Sequence, residues 1–361
     1  MDTLLKQFSE DITHIYSHLG DDLSKEIFGN RVLYSLTGDG KFISRIIEMT
    51  PAIKATKDLF NSYILEQSEG NSIIAYGAGL RSPLLIALLD GVEIASFCDS
   101  NSEKQKTTHY GYDVISPIEL KEQYLDSYVI ITVLSDTLAL EIVESLLVMG
   151  FRKKQIFILN EFMASSPLLP YFDPDIIQPF LLKNEVFIDA GCYVCDSSIK
   201  FIECCNGRYD KIIAFEPENT QYQICLENSK KIKNIEIYPF GLWNEEKELA
   251  LVVDPRDPRG TKLSEGSTNN KHTTKAVRLD DMLDGEKATF IKMDIEGAEL
   301  NALKGAEQTI LKYRPKLAIC VYHKPEDIWE IPRYILSIKS DYRLFIRHYG
   351  LLSSETVLYA I

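Results

Sequence analysis

The stretch Phe290-Ile-Lys-Met-Asp-Ile-Glu-Gly-Ala-Glu299 decides the fold class of this chain. It begins as an apolar strand, but Lys292, Asp294 and Glu296 recur at every second position and therefore tend toward one side. A central strand of a parallel sheet is covered on both faces and is almost continuously apolar, so charges there indicate a functional edge. The strand ends at a glycine, and residues 300–311 continue with helical spacing. A strand that runs into a helix through clustered carboxylates is typical of the ligand-binding edge of an α/β sheet.

Strands alternate with helices along most of the chain, which predicts parallel βαβ units and an α/β fold class. We expect a helical segment at residues 1–70, an α/β domain at 71–160, a proline-marked connector at 161–184 and a second α/β domain at 185–361. The helical segment carries no recognisable chemistry, so packing or self-association into a homo-oligomer is its expected role. The predicted strands are 72–76, 92–98, 112–115, 128–133 and 155–159 in the first domain, and 186–189, 211–215, 235–240, 290–294, 316–322, 343–347 and 356–360 in the second. The last two lack a credible helix between them, which indicates an antiparallel pair.

Residues 244–276 differ from the rest of the second domain. Two polar strands, 248–253 and 273–279, lie around stretches rich in Asp, Pro, Gly, Ser and Asn. These residue types are typical of turns. We therefore expect an inserted hairpin with a mobile loop that covers a site.

The charge balance excludes some classes of partner. The 361 residues contain 39 Lys and Arg against 53 Asp and Glu, which gives a net charge of −14. This balance repels phosphate backbones and anionic membrane surfaces, so a nucleic-acid substrate is not expected.

The amino terminus does not resemble a signal peptide, and no uninterrupted apolar run is long enough to span a bilayer, so no membrane span is expected. Seven scattered Cys are typical of cytosolic thiols and predict a cytoplasmic protein.

Two acids end successive strands at a spacing that is typical of adenosine-binding folds. Asp189 and Gly191 close the strand Val186-Phe-Ile-Asp-Ala-Gly191, and Glu216 closes Ile212-Ile-Ala-Phe-Glu-Pro217. Glycine lets the backbone approach a ligand, and a carboxylate at the end of the second strand is the usual partner of a ribose diol. Each acid alone is more often a helix cap or a solvated turn residue, but the pair favours adenosine binding.

Six ordered motifs in the second half of the chain resemble the FkbM family of S-adenosylmethionine-dependent methyltransferases. They are Asp189-Ala-Gly191, Phe215-Glu-Pro217, Phe240-Gly-Leu-Trp243, Leu279-Asp-Asp281, Ile291-Lys-Met-Asp-Ile-Glu-Gly-Ala-Glu299 and Pro315-Lys-Leu-Ala-Ile-Cys-Val-Tyr-His323. The resemblance implies a class I methyltransferase fold with a seven-stranded doubly wound sheet, S-adenosylmethionine as cofactor, and O-methylation of a hydroxyl, often on sugars or polyketide-type metabolites. The resemblance implies cofactor contacts by Asp189, Ala190 and Gly191 at the methionine end, by Glu216 at the ribose, and by Gly241 and Leu242 at the adenine. Pro217 and Asp294 are further expected cofactor-binding residues.

Cys195 departs from the family pattern. The first loop of the family usually reads Asp-x-Gly-Ala-x-x-Gly-Asp, and here Cys195 stands in place of the second Gly. Its side chain must avoid the cofactor. The change also creates Cys192-x-x-Cys195, followed by Cys204-Cys205. No His lies nearby, so small apolar packing is favoured over a metal or redox site.

The reaction that the resemblance implies requires few protein groups. A sulfonium is already a strong electrophile, so the protein mainly aligns the acceptor oxygen, the methyl group and the sulfur, and removes a proton. Asp294 and His323 both follow strands and are the candidates for base and acceptor orientation, with His323 expected to be mostly neutral. Lys292 is expected either to pair with Asp294 or to extend between helices. Glu299 falls in a first helical turn, where the helix dipole favours a carboxylate in any case. A divalent metal at Asp294 and its neighbours would suit an O-methyltransferase, but the sequence does not establish a third ligand.

The first α/β domain carries a degraded dinucleotide fingerprint. Gly77-x-Gly79-x-x-Ser82 lacks the third Gly, and Asp99 follows about 20 residues later, where ribose-binding acids occur. The domain resembles the small Rossmann-like domains that precede some sugar-modifying enzymes. Binding of a nucleotide or nucleotide sugar by Gly77, Gly79 and Asp99, and a role as scaffold only, both remain open.

Together these features predict a cytoplasmic S-adenosylmethionine-dependent O-methyltransferase that acts on a sugar or glycoconjugate acceptor during surface polysaccharide or glycoconjugate biosynthesis. The pathway rests on the family resemblance. One alternative is a nucleotide-sugar or NAD-binding oxidoreductase or binding protein that uses residues 72–159. Another is a non-catalytic assembly protein whose cofactor loop has decayed at Cys195.

Overall fold

The computed structural model describes residues 2–164, 168, 170–254, 257–265 and 272–361. The chain divides into two compact units, which we call the large unit and the small unit. The large unit comprises Met1–Ile46, Leu169–Tyr349 and Ser353–Ile361, and the small unit comprises Ile47–Leu168 and Gly350–Leu352.

The α-helices of the described residues are, in chain order, α1 (Asp2–His18), α2 (Asp22–Thr37), α3 (Lys41–Met49), α4 (Pro51–Ser68), α5 (Ser82–Leu88), α6 (Pro117–Gln123), α7 (Asp136–Met149), α8 (Leu159–Ala164), α9 (Asp196–Cys204), α10 (Asn219–Ser229), α11 (Leu279–Leu283), α12 (Glu299–Lys304), α13 (Glu307–Tyr313) and α14 (Asp327–Ile338). Short 3₁₀ turns occur at Lys153–Gln155 and Gln178–Phe180.

The strands are β1 (Ile73–Tyr76), β2 (Ser96–Cys98), β3 (Thr108–His109), β4 (Tyr112–Ile115), β5 (Tyr128–Ile131), β6 (Ile156–Ile158), β7 (Val186–Ala190), β8 (Lys211–Phe215), β9 (Ile235–Tyr238), β10 (Gly241–Leu242), β11 (Lys247–Asp254), β12 (Asp257–Ser264), β13 (Thr273–Val277), β14 (Phe290–Met293), β15 (Lys316–Cys320), β16 (Leu344–His348) and β17 (Thr356–Ala360).

The large unit is built around a seven-stranded sheet with the order β16–β17–β15–β14–β7–β8–β9. Its neighbouring strands are parallel except for β17, which runs antiparallel to both β15 and β16. The antiparallel pair predicted at the end of the chain is therefore confirmed. The order and directions also confirm the seven-stranded α/β sheet that the family resemblance implies.

The middle of this sheet is buried, and its carboxyl edge collects the candidate site residues. Phe187 of β7 and Phe290 of β14 pack with Phe201 of α9, and the Phe187 and Phe201 rings stack with centroids 4.2 Å apart. Full burial of each such side chain stabilises the fold by about 1.5–3 kcal/mol. Because β7, β8, β14 and β15 are parallel, their carboxyl ends meet at one edge. The residues that follow these ends include Gly191, Glu216, Asp294 and His323.

Helix α2 packs against strand β16 within the large unit. Asp21, which caps α2, pairs with Arg347 at 2.6 Å, and the Ser24 hydroxyl accepts the Ile346 N–H at 2.9 Å. These contacts tie the first helices to the end of the chain. The helical segment predicted over residues 1–70 is consequently divided, with α1 and α2 in the large unit and α4 in the small unit.

A second sheet of the large unit, ordered β10–β13–β11–β12, replaces the simple hairpin predicted for residues 244–276. Strands β11 and β12 form a hairpin, and β13 pairs antiparallel with β11 and parallel with β10. The prediction missed β12 because its Asp-Pro-Arg-Gly start is typical of a turn. An edge strand tolerates Pro, since one side of it makes no ladder hydrogen bonds. The predicted mobile loop falls partly on residues 255–256 and 266–271, which lie outside the described residues.

The small unit contains a six-stranded sheet with the order β3–β4–β2–β1–β5–β6, parallel except for the β3–β4 pair. The predicted α/β character of this region is confirmed. Strand β2 is shorter than predicted, since it begins at Ser96. Among the described residues of both units, no helix combines the length and apolarity that a bilayer crossing requires.

Candidate active site

Gly191 follows β7 in a turn that requires glycine. Its φ is +76°, and a Cβ there would lie 2.0 Å from the backbone oxygen of Asp294. The chain after β7 therefore touches the chain after β14. The Lys292 ammonium reinforces this contact by donating a hydrogen bond to the Gly191 carbonyl at 2.7 Å. The Gly191 turn is thus fixed against Asp294.

Asp189 and Lys292 form a buried ion pair between β7 and β14, with their charged atoms 3.1 Å apart. Ser197 and Ser198 of α9 each donate a hydrogen bond to Asp189 Oδ2 at 2.7 Å. Burial acts to lower the pKa of Lys292, but the charges of Asp189 and Asp294 outweigh it and hold the pKa above its ordinary value. The predicted pairing of Lys292 with Asp294 needs correction, since its direct partner is Asp189. The alternative expectation is not met either, because the Lys292 side chain does not extend between helices.

Glu216 follows β8 and is buried beside the turn after β7. Its Oε2 accepts the Tyr193 N–H and its Oε1 accepts the Glu218 N–H, each at 3.0 Å. Burial raises the pKa of Glu216 to about 7, against these two hydrogen bonds, which favour the ionised form. Pro217 follows and is half-buried. A buried carboxyl that titrates near neutrality at a sheet edge is typical of a functional site.

Asp294 lies in a polar cluster at the carboxyl ends of β14 and β15. The Tyr171 hydroxyl donates to its Oδ2 at 2.7 Å, and the Tyr322 hydroxyl donates to its Oδ1 at 3.5 Å. Burial acts to raise the pKa of Asp294, but the charges of Lys292 and His323 outweigh it and hold the pKa below its ordinary value. Asp294 is therefore ionised at neutral pH.

His323 is surrounded by three carboxylates. Its Nδ1 lies 2.8 Å from Glu299 Oε1, and its Nε2 lies 3.4 Å from Asp294 Oδ1 and 3.6 Å from Glu296 Oε1. Burial acts to lower the pKa of His323, but the carboxylates outweigh it and raise the pKa to about 11. The expectation of a mostly neutral His323 does not hold in this arrangement. An imidazolium has no lone pair to accept a hydroxyl proton, so His323 acts here as a donor.

Glu299 makes a contact that its position in a first helical turn does not predict. Its position in the first turn of α12 explains why its Oε1 accepts the Ile295 N–H at 2.9 Å, but the same oxygen also contacts His323. Glu296 adopts a left-handed backbone conformation with φ +56° in the turn before α12. This turn brings both acids to the same imidazole. Tyr171 could not be predicted as a site residue, because it lies in the predicted connector and no local motif surrounds it.

The predicted adenine-lining residues, Gly241 and Leu242, form the buried strand β10. They follow β9, whose carboxyl end lies at the same edge as that of β8. A Cβ on Gly241 would lie 2.5 Å from the Leu263 side chain of β12. The Leu263 side chain of β12, in the same sheet, therefore packs closely against this position.

Cys192, Cys195 and Cys225 form a buried thiol cluster whose sulfur atoms all lie within 4.8 Å of one another. Cys225 is a member that the sequence pattern did not reveal. The cluster packs against Ala214 and partly buried isoleucines, and the choice between apolar packing and a metal or redox site stays a prediction. Cys195 has φ +67°, a left-handed conformation that favours glycine. The glycine that is usual in the family would therefore fit the backbone here.

In the small unit, the three residues of the degraded fingerprint lie together. Asp99 Oδ2 accepts the Ala78 N–H of the Gly77–Gly79 turn at 3.0 Å. The same oxygen pairs with the Lys104 ammonium at 2.9 Å. A ribose would have to compete with Lys104 for Asp99, and nucleotide binding here stays a prediction.

Comparison with known proteins identifies the domain that carries this site. Residues 193–350 match the family model of the methyltransferase FkbM domain. The chain contains an FkbM methyltransferase domain. Residues 69–157 match a second model, described as C2185-like, N-terminal.

Individual relatives are distant. The hexuronic acid methyltransferase AglP of Haloferax volcanii is 28% identical over 137 residues, which cover 37% of this chain and 56% of that protein. The match thus spans little more than half the length of AglP. The methyltransferase FkbM structure from Methylobacillus flagellatus KT is 20% identical with a TM-score of 0.47, and covers 85% of this chain and 97% of that chain. Aeropyrum pernix fibrillarin with natively bound S-adenosyl-L-methionine is 8% identical with a TM-score of 0.32, and covers 50% and 66%.

Proposed function

We propose that this chain is an S-adenosylmethionine-dependent O-methyltransferase whose acceptor is a sugar hydroxyl. The observation that supports it most directly is that Glu216, the Gly191 turn and Asp294 meet at one edge of the seven-stranded sheet. Glu216 contacts the loop after Gly191 through Tyr193, and Gly191 touches Asp294. A cofactor held between Glu216 and Gly191 would present its methyl group toward Asp294.

The proposed cofactor contacts begin at the loop after β7. The Asp189 carboxylate is already occupied by Lys292 and two serine hydroxyls, so this loop would meet the methionine end at Ala190 and Gly191, where Gly191 has no side chain to obstruct the approach. Glu216 accepts hydrogen bonds from the ribose diol. The remaining proposed contacts are Pro217 beside the ribose, and Gly241 and Leu242 at the adenine.

Asp294 is the proposed partner of the acceptor hydroxyl. Methyl transfer from a sulfonium requires the acceptor oxygen, the methyl carbon and the sulfur to lie in line, which is a matter of positioning. Asp294 is ionised and accepts the hydroxyl proton, while the charges of Lys292 and His323 keep it ionised before the acceptor binds. His323 orients Asp294 from the other side. A positioned base typically contributes about 10²–10⁴-fold to rate.

A sugar acceptor is supported by the relative AglP, whose name states hexuronic acid methylation. We extend this to a hydroxyl of a sugar or glycoconjugate made for the cell surface. The seven cysteines are all free, which supports a reducing, cytoplasmic location.

The test uses the full-length protein with methyl-labelled S-adenosylmethionine and UDP-glucuronic acid, UDP-galacturonic acid and UDP-glucose as acceptors. Mass spectrometry should show one methyl group on a ring hydroxyl, stable to mild alkali that hydrolyses a methyl ester. Asp294→Asn and His323→Ala should each lower turnover by about 10²-fold or more while S-adenosylhomocysteine affinity stays within a few-fold. The exposed Lys211–Glu286 pair supplies the control, because Glu286→Gln removes a carboxylate of the same unit far from any proposed role. An alkali-labile product, or no binding of S-adenosylhomocysteine by the wild type, would contradict the proposal.

A second candidate function belongs to the small unit. The contact of Asp99 with the Gly77–Gly79 turn supports binding of NAD or a nucleotide sugar, either as an oxidoreductase site or as a means to hold the acceptor. Calorimetry of the full chain with NAD and with UDP-sugars separates this candidate from a scaffold. A chain that binds neither these nor S-adenosylhomocysteine would favour the non-catalytic assembly protein.

A further inference from the structure

We propose that Arg31 binds an anionic group of the acceptor, a carboxylate or a phosphate, and thereby selects an acidic sugar. Arg31 belongs to α2 in the large unit and is 2% exposed. Its role toward the acceptor rests on the proposed function, whereas binding of an anion rests on the surroundings of Arg31 alone.

Arg31 differs from the other buried cations because it lacks a carboxylate partner. Three basic side chains are buried in the part of the chain that the structure describes. Lys292 pairs with Asp189 at 3.1 Å, and the ammonium of Lys316 lies 2.8 Å from Glu185. Arg31 pairs with no described carboxylate, and burial lowers its pKa to about 10, so it stays charged at neutral pH. Buried charges are normally paired, because an uncompensated one is costly.

The guanidinium of Arg31 has one edge left for a ligand. Its Nη1 donates a hydrogen bond to the Ser353 carbonyl at 2.6 Å, and its Cζ lies 5.4 Å from the centroid of the Tyr34 ring. Nε is buried, and among the described residues neither Nε nor Nη2 has a hydrogen-bond partner. These two nitrogens form one edge of a planar fork that matches two oxygens of a carboxylate or a phosphate.

Helix α2 brings Arg31 to the sheet edge where the candidate site lies. Gly20, just before α2, donates its N–H to the Leu344 carbonyl at the start of β16. Arg31, about three turns farther along, reaches Ser353 in the loop after β16. Strands β16 and β15 run in the same direction, because both are antiparallel to β17. Arg31 therefore lies at the carboxyl edge of the sheet.

Tyr322 connects this cation with Asp294. The Val321 N–H donates to the Thr356 carbonyl at 3.0 Å, which places the loop before β17 beside Tyr322. The Tyr322 hydroxyl donates to Asp294 Oδ1 at 3.5 Å, and Tyr322 also lies close enough to Arg31 to act on its pKa. An acceptor whose hydroxyl meets Asp294 can therefore extend past Tyr322 and place an anionic group at Arg31.

A purely structural role of Arg31 predicts a different effect on stability. Replacing a buried ion by an apolar side chain of similar volume is often neutral or stabilising. Arg31→Met should therefore melt at the temperature of the wild type or above it. An arginine that served packing alone would instead give a lower melting temperature on this change.

Calorimetry of the full-length protein in the presence of S-adenosylhomocysteine tests the site, with UDP-glucuronic acid and UDP-glucose as probes. The probes share a diphosphate and differ by one carboxylate. If Arg31 holds a carboxylate, UDP-glucuronic acid should bind at least tenfold more tightly than UDP-glucose, and Arg31→Met should remove the difference. If it holds a phosphate, both probes should lose at least tenfold in affinity in Arg31→Met. In methyl transfer, the KM for UDP-glucuronic acid should rise at least tenfold while kcat stays within a few-fold.

Arg343→Met is the matched control. Arg343 also donates to a main-chain carbonyl, that of Gly20, but it lies at the opposite end of β16, so its loss should leave the affinity for both probes unchanged. Arg31→Lys is the milder change, because it keeps the charge without the fork, and it should lose only part of the affinity. Near-ultraviolet circular dichroism verifies that each variant is folded.

Two results would overturn the proposal. One is the lack of saturable binding of either probe by the wild type at millimolar concentration. The other is equal probe affinity in wild type, Arg31→Met and Arg31→Lys. S-Adenosylhomocysteine affinity, measured separately, distinguishes this failure from that of the proposed function. Cofactor binding with probe affinity that does not depend on Arg31 removes the anion site only, whereas Arg31-dependent probe binding without cofactor binding supports the anion site and counts against the methyltransferase.

Discussion

The pKa of Glu216 is expected to make cofactor affinity depend on pH. Burial raises this pKa to about 7 in the uncomplexed protein. Ribose hydroxyls donate hydrogen bonds, and the ionised carboxylate accepts them on both oxygens. With a pKa near 7, about nine-tenths of Glu216 is ionised at pH 8 and about one-tenth at pH 6. The Kd for S-adenosylhomocysteine should therefore rise about tenfold from pH 8 to pH 6.

Calorimetry at pH 6, 7 and 8 measures the affinity for S-adenosylhomocysteine. Repeating it in buffers of different ionisation enthalpy also gives the number of protons released on binding. Binding selects the ionised form, so close to one proton should leave at pH 6 and almost none at pH 8. Glu216→Gln should abolish both the pH slope and the proton release. Glu216→Ala should in addition lose about 1–3 kcal/mol of binding free energy at pH 8, because two hydroxyls lose their acceptor.

Asp327 provides the matched control. Burial raises the pKa of Asp327 to about 7 as well, so it titrates over the same pH range. Asp327→Asn should leave the slope of the wild type intact. A wild-type Kd that does not change with pH, or an unchanged slope in Glu216→Gln, would refute the assignment of Glu216 to the ribose.

Three further substitutions probe the turns and the small unit. An alanine in a left-handed backbone conformation costs ~1–2 kcal/mol, and Gly191→Ala should lower the free energy of unfolding in urea by well over that amount, since its Cβ meets the Asp294 oxygen. Gly207→Ala is the control and should cost only about that amount, because Gly207 has φ +71° and open space around it. Equal effects of the two substitutions would contradict the close approach at Gly191. Cys195→Gly should preserve or improve S-adenosylhomocysteine affinity because glycine relaxes φ +67°, and tight stoichiometric zinc lost on this change would instead reveal a thiol metal site. Asp99→Asn should weaken any binding of NAD or UDP-sugars by the full chain in calorimetry, and no such binding at millimolar concentration leaves the small unit as a scaffold.

The fold of the large unit could be predicted because its strands are locally distinct. Strands such as 211–215 and 316–322 are apolar and separated by helical spacing, which favours a parallel sheet whatever the tertiary contacts. The missing helix between the last two strands was sufficient to predict their antiparallel pairing. Strand β12 could not be predicted in this way, because its pairing with β11 overrides a local composition that favours turns.

The candidate site could be predicted only where function falls on strand ends. Glu216 and His323 follow buried strands, so their edge position could be inferred from sequence alone. Tyr171 and Cys225 follow no such rule. Tyr171 reaches Asp294 from a connector, and Cys225 reaches Cys192 from a helix, so neither contact exists until the chain has folded. The charge state of His323 was mistaken for the same reason, since Glu299 is an ordinary first-turn acid until α12 packs beside it.

Lys292 identifies the information that was missing. In sequence its nearest acid partner on the same side of the strand is Asp294, but β7 and β14 pair in a register that places Lys292 opposite Asp189. Neighbouring strands lie about 4.8 Å apart, so this register brings the ammonium to the Asp189 carboxylate and to the Gly191 carbonyl. If Lys292 paired directly with Asp294, the Asp294 carboxylate would be engaged in the core and would not be available to a ligand. Because Asp189 takes that role, Asp294 keeps an oxygen directed at His323 and a side chain that a ligand can reach. The register of one strand pair therefore determines which carboxylate stabilises the sheet and which is available for chemistry.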